Sequence, residues 1–360
     1  MTILETATPH IDLGRVRQAV EDTLECFLAG KAEGEDGARI AAPLRVLRDF
    51  LGGGGKRVRP LYCCLGWFAV AGRPPTTEVL RAAAGLELFH TFALIHDDVI
   101  DGSDSRHARP TAHRAFEQDG PGPRARWFGE SAAILLGDLC EVWSAELLGG
   151  LSGPSPASAR AVLDRMRGEL VIGQFLDLRA FGTDFGNVED ALAVIHYKTT
   201  KYTVERPLQI GAAMAGASSS VLGVCAAYAR PMGEAFQMCD DLEDVLPDPA
   251  RGDATGNDLR EGKHTVVLAL ALRDAGAAES ARLRELVGDP DLDADGLAEA
   301  QALIAATGAP RTVRRMVVER RRQALDVLAA APFGPAARQA LARLTDLALP
   351  GVDRWEEAEG

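Results

Sequence analysis

Two short aspartate clusters, each with the spacing DDxxD, are the residues of this 360-residue chain whose types and spacing best suit chemistry. The first cluster is Asp97, Asp98 and Asp101, and the second is Asp240, Asp241 and Asp244. On a helix, residues four apart share a face, so each cluster directs two carboxylates toward one point. Because like charges repel, this arrangement favours a bound cation, and Mg²⁺ suits carboxylates that leave positions for phosphate oxygens. The spacing therefore predicts two magnesium sites for a phosphorylated substrate.

A single aspartate run is more often a solvated helix end than a metal site. Here both clusters follow strongly apolar segments, residues 86–100 and 235–239, which predicts buried helices that end at the carboxylates. Loops that carry basic residues follow both clusters. Repetition of the whole arrangement favours the functional interpretation.

A run of four glycines, residues 52–55, leads into Lys56, Arg57 and Arg59. Glycines let backbone N–H groups approach an oxyanion, and a helix N-terminus adds positive potential there. Lys56 and Arg59 are spaced by one helical turn and could hold one diphosphate together. The segment is not a Walker loop, because no Ser or Thr follows Lys56 and no strand is predicted before it. A flexible basic surface loop is the alternative.

Further basic residues and histidines lie along the chain near the aspartates. They are Arg106, His107 and Arg109 after the first cluster, Lys198 and Lys201 in mid-chain, Lys263 after the second cluster, and His90 before the first. His90 alone is more often a satisfied core histidine than a ligand. His96, beside Asp97, raises the alternative of an HD-type metal phosphohydrolase. That kind of site needs further spaced histidines, whereas the seven in this chain are scattered.

The elements that position these residues are predicted to be helices. Helical periodicity marks residues 11–28, 78–101, 130–148, 157–178, 188–201, 231–246 and 309–328. No series of alternating β-branched runs with hairpin turn signals is present, so the predicted fold class is all-α. Without a long linker, one domain over residues 1–350 is expected, followed by an acidic, loosely held tail at residues 351–360.

Composition excludes several classes of protein. A formal net charge of −13 argues against nucleic acid as a partner. The longest apolar stretch, residues 61–70, is about half the length of a membrane span, and the first residues lack a basic segment followed by an apolar one. We therefore expect no membrane span and a cytoplasmic location. The six cysteines have no CxxC or CxxH spacing, so neither a disulfide framework nor a zinc site is predicted.

Five sequence blocks in order resemble the trans-isoprenyl diphosphate synthase, or polyprenyl synthetase, family. They are GGGGKRVRP, HTFALIHDDVIDGSDSRHARPTAH, YKTTKYTVERPLQIGAA, FQMCDDLEDV and GNDLREGKHT, within residues 44–270. The resemblance implies a single-domain bundle of long helices around a deep central cavity, usually as a homodimer. It also implies two substrates, isopentenyl diphosphate and an allylic diphosphate, which are joined into a linear isoprenyl diphosphate.

The resemblance assigns roles to individual residues. Those that would hold isopentenyl diphosphate are Gly55, Lys56, Arg59 and His90, with His107 where the family usually has a second arginine. Those that would hold the allylic diphosphate are Arg106, Lys198, Thr199, Gln237 and Lys263. Both aspartate clusters together would bind about three Mg²⁺ ions, so the six aspartates and Lys198 are the expected catalytic residues.

Two positions depart from the family pattern. His107 replaces the second arginine, and Asp253 follows Gly252 where a lysine is usual. Each change removes a fixed positive charge, although histidine can donate a hydrogen bond and is partly charged near pH 6.5. Arg251 or Arg260 could supply a replacement cation near Asp253.

Three alternatives to an active synthase differ in their requirements. A class I terpene cyclase normally has an asparagine, serine and glutamate second motif and lacks the glycine-lysine-arginine block. A non-catalytic subunit of a heteromeric synthase would explain His107 and Asp253, but such subunits tend to lose the aspartates that are present here. The HD-type phosphohydrolase is the third.

Residues before the first cluster predict product length by resemblance. Phe92 and Phe89 lie about 7.5 Å and 12 Å along the helix from Asp97 and on nearly one face. In the family, an aromatic residue five positions before the motif tends to form the floor of the cavity, and one four positions before it shortens the product to fifteen carbons. Phe92 with Ala93 resembles enzymes that make geranylgeranyl diphosphate, with farnesyl diphosphate as the alternative product. Ordinary core packing of both rings is the structural alternative.

Overall fold

The computed structural model describes residues 11–106, 109–151, 153–180, 187–246, 256–289 and 291–359. Helices make up nearly all regular structure in these ranges, which confirms the all-α prediction. Two two-residue strands, β1 Ser105–Arg106 and β2 Arg109–Pro110, pair antiparallel and were not expected. His107 and the segment around Asp253 lie outside the described residues.

Two compact units make up the chain, one of Met1–Ala159 with Gly211–Gly216 and one of Arg160–Ile210 with Ala217–Gly360. The helices that begin in the first unit are α1 Leu13–Glu33, α2 Ala41–Leu51, α3 Val58–Ala71, α4 Thr77–Asp101, α5 Ala112–Gln118, a 3₁₀ turn Gly122–Arg124, α6 Ala125–Leu148 and α7 Pro156–Ala180. Those that follow are α8 Val188–Val194, a π-helix Ile195–Glu205, α9 Arg206–Met214, α10 Ser219–Val245, α11 Asn257–Arg260, α12 Val266–Asp274, α13 Ala277–Leu286, α14 Ala294–Ala306, α15 Ala309–Ala330, α16 Pro335–Ala348 and α17 Val352–Glu359. The prediction of one domain over residues 1–350 stays a prediction.

Two predicted helices differ from those observed. The helix expected from Pro231 begins at Ser219, and Pro231 lies buried inside α10. Proline disfavours a helix interior because it lacks an N–H, yet packing around α10 retains the helix across it. The helix expected over residues 188–201 ends as α8 at Val194 and continues as a π-helix, which apolar periodicity does not distinguish from an α-helix.

The core of the first unit is built on α4, which packs against α6, α3 and α1. Gly85 allows the close approach of α4 to α6, because an added Cβ would lie 2.8 Å from Leu148 Cγ. At the same level, Ser144 Oγ donates to the carbonyl oxygen of Gly85 at 2.8 Å. This contact fixes the helix that ends in the first aspartate cluster.

In the second unit, α10 is the central helix and packs against α15 and the π-helix. Tyr228 on α10 and Thr345 on α16 are fully buried, and their hydroxyl oxygens lie 2.8 Å apart. Arg320 on α15 donates a hydrogen bond to Glu234 on α10 at 2.6 Å. Glu234 is only 6% exposed, so the guanidinium compensates a buried carboxylate. The helix that ends in the second aspartate cluster is thus held along its length.

The residues after 350, expected to be a tail, include helix α17. Val352 is buried, and Asp353 lies 3.0 Å from Arg321 of α15. Trp355 packs under the guanidinium of Arg314, with 5.6 Å between the carbon and the ring centre. These contacts attach the acidic end of the chain to α15.

All six cysteines lie among the described residues and carry free thiols. Cys26 is exposed, and the other five are buried. Burial raises the pKa of Cys63, Cys140 and Cys225 to about 12. The buried thiols therefore behave as small apolar side chains. Among the described helices, none combines the length and apolar character that crossing a membrane requires.

Candidate active site

The first aspartate cluster closes α4, as predicted. Asp97, Asp98 and Asp101 are on the last turns of the helix, which ends at Gly102 in the left-handed conformation with φ 68°. Asp98 is fully buried, and Arg106 donates to its Oδ1 from Nη2 at 2.7 Å and from Nε at 3.0 Å. Asp97 and Asp101 are partly exposed. The carboxylate of Asp98 is therefore compensated within the protein by Arg106, which lies at the cluster.

The glycine run forms a loop before α3. Gly54 and Gly55 have φ values of 93° and 126°, and an added Cβ at either would meet no atom within 4 Å. These glycines are needed for backbone conformation and not for close packing. Lys56 is exposed in the loop, whereas Arg59 is on the first turn of α3, so their spacing is not that of a helical turn.

Arg57, between the two predicted diphosphate ligands, has a structural role that the sequence analysis missed. It adopts a left-handed conformation with φ 49° and donates to Glu87 of α4 and to the carbonyl oxygen of Leu51 at 2.6 Å. Glu87 is 4% exposed within an apolar stretch. Because a buried carboxylate needs a partner, a glutamate within this apolar stretch is the sequence signal that could have indicated a nearby cation.

The residues predicted to control product length lie in one stripe along α4. The ring centres of Phe89 and Phe92 are 5.4 Å apart, and those of Phe92 and His96 are 4.8 Å apart. His96 Nε2 donates to the carbonyl oxygen of Ile134 on α6 at 3.0 Å. It also packs on Gly137, where an added Cβ would lie 2.3 Å from the ring. This histidine is thus engaged in helix packing, which disfavours the phosphohydrolase interpretation.

His90 and Ala93 lie on the same helix and are partly exposed. Phe89 is buried at 2% exposure, and Phe92 is partly exposed. Their roles in product length stay predictions.

The second aspartate cluster is on the last turns of α10, which ends at Val245. Asp241 is 4% exposed, and its Oδ1 accepts a hydrogen bond from Gln237 Nε2 at 2.8 Å. Gln237 Oε1 in turn accepts from Thr199 Oγ1 at 2.6 Å. The structure therefore joins three predicted site residues from the π-helix and α10 into one hydrogen-bonded chain.

Short helix α11 adds a fourth carboxylate that the sequence analysis missed. The backbone N–H groups of Asp258 and Asn257 donate to Asp244 at 2.8 Å and 3.3 Å. Lys263 Nζ lies 3.3 Å from Asp258 and 2.6 Å from Glu261. Lys263 is thus held beside the cluster by two carboxylates that precede it in the chain.

Burial and mutual repulsion perturb these carboxylates. Burial, followed by the charges of Asp258 and Asp240, raises the pKa of Asp241 well above its ordinary value. Burial also raises the pKa of Asp258 to about 6, with Lys263 acting in the opposite direction and Asp244 adding to the rise. Burial and neighbouring carboxylates thus make ionisation of this cluster unfavourable, and a bound cation would offset that cost.

Lys198 is on the π-helix and donates from Nζ to Asp177 of α7 at 2.7 Å. Among the described residues, no group of three or more His, Cys, Asp and Glu side chains is placed so that it could hold a metal ion by itself. The carboxylates of each cluster are neighbours on one helix and not a closed cage. Such an open arrangement is typical of Mg²⁺, which keeps water or substrate oxygens in several positions.

Comparison with known proteins adds independent findings. A family model described as polyprenyl synthetase matches residues 43–304. A short chain isoprenyl diphosphate synthase of Methanocaldococcus jannaschii is 31% identical over 255 residues, 70% of this chain and 73% of that protein. A nonaprenyl diphosphate synthase of Mycobacterium tuberculosis is 31% identical over 294 residues, 81% of this chain and 82% of that protein.

Solved structures give the same fold. A geranylgeranyl pyrophosphate synthase from Corynebacterium glutamicum, complexed with isoprenyl diphosphate and magnesium, matches with a TM-score of 0.88 at 36% identity. The match covers 94% of this chain and 99% of that chain.

We predict that Asp241→Asn stabilises the protein when divalent cations are absent. Because the pKa of Asp241 is raised, the native state keeps a proton there that the unfolded chain loses above about pH 4. The free energy of unfolding of the parent should therefore fall as the pH rises from about 4 to 7. The free energy of unfolding of Asp241→Asn should fall less over the same pH range.

Urea unfolding in EDTA at several pH values measures this difference. Asp164→Asn, at an exposed ion pair with Arg160 on α7, is the matched control and should follow the parent. Parallel curves for Asp241→Asn and the parent would show that Asp241 is not destabilised by its surroundings.

Proposed function

This chain belongs to the polyprenyl synthetase family and is an isoprenyl diphosphate synthase, and we propose that its product is geranylgeranyl diphosphate. As a prenyltransferase, it joins isopentenyl diphosphate to allylic diphosphates. The observation that carries the synthase activity is the pair of complete aspartate clusters, each closing a buried helix. The product length is proposed from Phe92 and Ala93, which lie on α4 before the first cluster. A terpene cyclase would not need the second cluster as aspartates, and a non-catalytic subunit would not need both.

We place isopentenyl diphosphate at the basic loop of the first unit. The proposed ligands are Gly55, Lys56, Arg59 and His90, with His107 as a further donor. Support comes from the loop itself, in which Lys56 is exposed and Gly54 and Gly55 leave open space beside the backbone. A diphosphate can approach such a backbone closely because no Cβ intervenes.

We place the allylic diphosphate at Lys198, Thr199, Gln237 and Lys263, with Arg106 as a further cation. The hydrogen-bonded chain from Thr199 through Gln237 to Asp241 supports this assignment, because it links proposed substrate ligands to a proposed metal ligand. Lys263 beside Asp258 supplies positive charge to the same cluster.

The donor set fits Mg²⁺, since carboxylate oxygens are hard ligands and both clusters are composed of aspartates. We propose Asp97, Asp98, Asp101, Asp240, Asp241 and Asp244 as the ligands of about three ions. When bound, Mg²⁺ stabilises the negative charge that develops on the departing diphosphate.

The side chains of this enzyme then hold and protect the reactants. Lys198 and Lys263 bind the leaving diphosphate as the allylic C–O bond breaks, because their charges oppose its developing charge. The double bond of isopentenyl diphosphate attacks the allylic carbon, and water must be excluded because it would otherwise trap that carbon. We assign the proton lost afterwards to the departed diphosphate.

A second copy of the chain is the partner that we propose. Helix α6 exposes Trp127, Ile134, Leu135 and Val142, with Leu135 at 68% and Val142 at 61% exposure. Spacings of seven and eight residues place these side chains along one stripe, and exposed apolar stripes of this kind indicate an interface. Sedimentation equilibrium should give a dimer for the parent and a monomer for Leu135→Arg, and a monomeric parent would refute the proposal.

A cytoplasmic location stays a prediction.

We predict that Asp97→Ala and Asp240→Ala each lower kcat for coupling by at least about 100-fold while the helical fold remains. Each change removes a proposed metal ligand but also relieves repulsion, so circular dichroism should be unchanged. Product analysis with Mg²⁺, isopentenyl diphosphate and dimethylallyl, geranyl or farnesyl diphosphate measures turnover, with Asp164→Asn as the control.

The same assay separates the alternatives. A linear diphosphate is the expected product of the parent, whereas a cyclic hydrocarbon would indicate a terpene cyclase and inorganic phosphate alone a phosphohydrolase. No product without a second protein would indicate a non-catalytic subunit. Folded aspartate variants with parental turnover would refute the two-cluster site.

We predict that Ala93→Phe shifts the product from twenty to fifteen carbons and that Phe92→Ala lengthens it. An added ring at residue 93 lies one residue nearer the carboxylates than Phe92 and should stop the chain earlier. Removing Phe92 should let the chain grow until Phe89 stops it. Chromatography of the dephosphorylated products measures length, and unchanged lengths in both variants would place the floor on another helix.

A further inference from the structure

The π-helix Ile195–Glu205 carries two of the proposed allylic-diphosphate ligands, Lys198 and Thr199. π-Helical segments are rare and frequent at functional sites, and their wider turns need support from surrounding packing. The question is which residues give that support. In the second unit, the π-helix packs against α10, and side chains of α7 contact it as well.

Three residues of α7 face the π-helix at intervals of four. Asp177 accepts from Lys198 Nζ at 2.7 Å, and Glu169 accepts from Lys201 Nζ at 2.8 Å. Midway between the two carboxylates, at residue 173, is a glycine. Residues spaced by four lie on one face of a helix, so α7 contacts the π-helix through two ion pairs on either side of a glycine.

Gly173 is required by packing against backbone. An added Cβ would lie 2.6 Å from Lys198 N, 2.7 Å from Lys198 Cα and 2.8 Å from the carbonyl carbon of Tyr197. Because these atoms are main-chain atoms, they cannot rotate away as a side chain could. The contact point is thus the backbone of a proposed substrate ligand.

Gly233 makes the corresponding contact from α10. An added Cβ would lie 2.5 Å from Thr200 Cα and 2.6 Å from Thr200 Oγ1. Four residues further along α10 is Gln237, which accepts the hydrogen bond from Thr199. The two glycines therefore contact the residues on either side of Thr199, namely Lys198 and Thr200.

Glu169 is also the centre of a partly buried ion network. Arg206, which is 7% exposed, donates to Glu169 Oε2 from Nε and to Oε1 from Nη2, both at 2.7 Å. Burial alone would raise the pKa of Glu169, and the hydrogen bonds from Arg206 and Lys201 outweigh it, so its pKa lies below the ordinary value. An ionised Glu169 thus anchors both Lys201, within the π-helix, and Arg206, which follows it.

We propose that Glu169, Gly173 and Gly233 are positioning residues that set the place of Lys198 and Thr199 at the allylic diphosphate. The inference rests on the proposed function, in which those two residues bind that diphosphate. None of the three positioning residues needs to touch substrate. Their effect should be specific to one substrate, since the basic loop proposed for isopentenyl diphosphate is on other elements.

The test compares glycines of the same helices that differ in their surroundings. Gly173→Ala and Gly233→Ala introduce a methyl group against backbone, whereas Gly168 on α7 and Gly223 on α10 have no atom within 4 Å of an added Cβ. Gly168→Ala and Gly223→Ala are therefore matched controls.

Steady-state kinetics with both substrates and thermal unfolding are measured for each variant. Gly173→Ala and Gly233→Ala should raise the KM for the allylic diphosphate by about 10-fold or more, because small misplacement of a ligand has effects of this size. The KM for isopentenyl diphosphate should stay within about twofold of the parental value. Both control variants should have the parental KM values for both substrates.

Glu169→Gln removes the charge without changing the shape, and it decides the outcome if an alanine variant does not fold. The same split between the two KM values is expected for Glu169→Gln. A lowered melting temperature with both KM values unchanged, or equal rises in both, would show a merely structural role and overturn the inference.

Lys198→Ala separates this inference from the proposed function. If the KM for the allylic diphosphate does not rise in Lys198→Ala, the proposed role of Lys198 is wrong. If it rises in Lys198→Ala while Gly173→Ala and Glu169→Gln behave like the controls, the substrate site stands and the positioning role is refuted.

Discussion

Repulsion between carboxylates that are gathered at the ends of buried helices is the constraint on which the site depends. Asp241 and Asp244 are on the last turns of α10, where the helix dipole already disfavours negative charge, and Asp258 joins them from α11. The surrounding structure offsets this repulsion with Gln237, with Lys263 and with backbone N–H groups. In the first unit, Arg106 has the same effect on buried Asp98. A cation bound at either cluster would offset this repulsion further.

The sequence predicted those features that depend on local spacing. Aspartates four residues apart must share a face once the segment is helical, and the apolar residues before Asp97 and Asp240 required buried helices. Both predictions agree with α4 and α10. Contacts between distant segments were not predictable in this way. Nothing in the sequence distinguishes Asp177 and Asp258, for example, from ordinary surface aspartates. The fold brings Lys198 to Asp177 and Asp244 to the backbone of Asp258.

The glycines illustrate why such contacts between distant segments could not be predicted from the sequence. Gly55 and Gly173 are the same residue in a sequence, yet the first is needed for a positive φ in open space and the second for close contact with a backbone. Only the three-dimensional surroundings separate these reasons. The π-helix could not be predicted from the sequence either, because the apolar periodicity over residues 188–201 fits an α-helix as well.

The distribution of thiols makes this protein suitable for site-selective spectroscopy without engineering. Since thiolates react and buried thiols do not ionise readily, a maleimide fluorophore should modify Cys26 and spare the five buried cysteines in the native state. Cys26 precedes Phe27, whose ring packs edge-on against Trp143 of α6 at 6.3 Å. A dye there would lie near a natural tryptophan donor on α6, so that energy transfer could report on the packing of α1 against α6 in a wild-type chain.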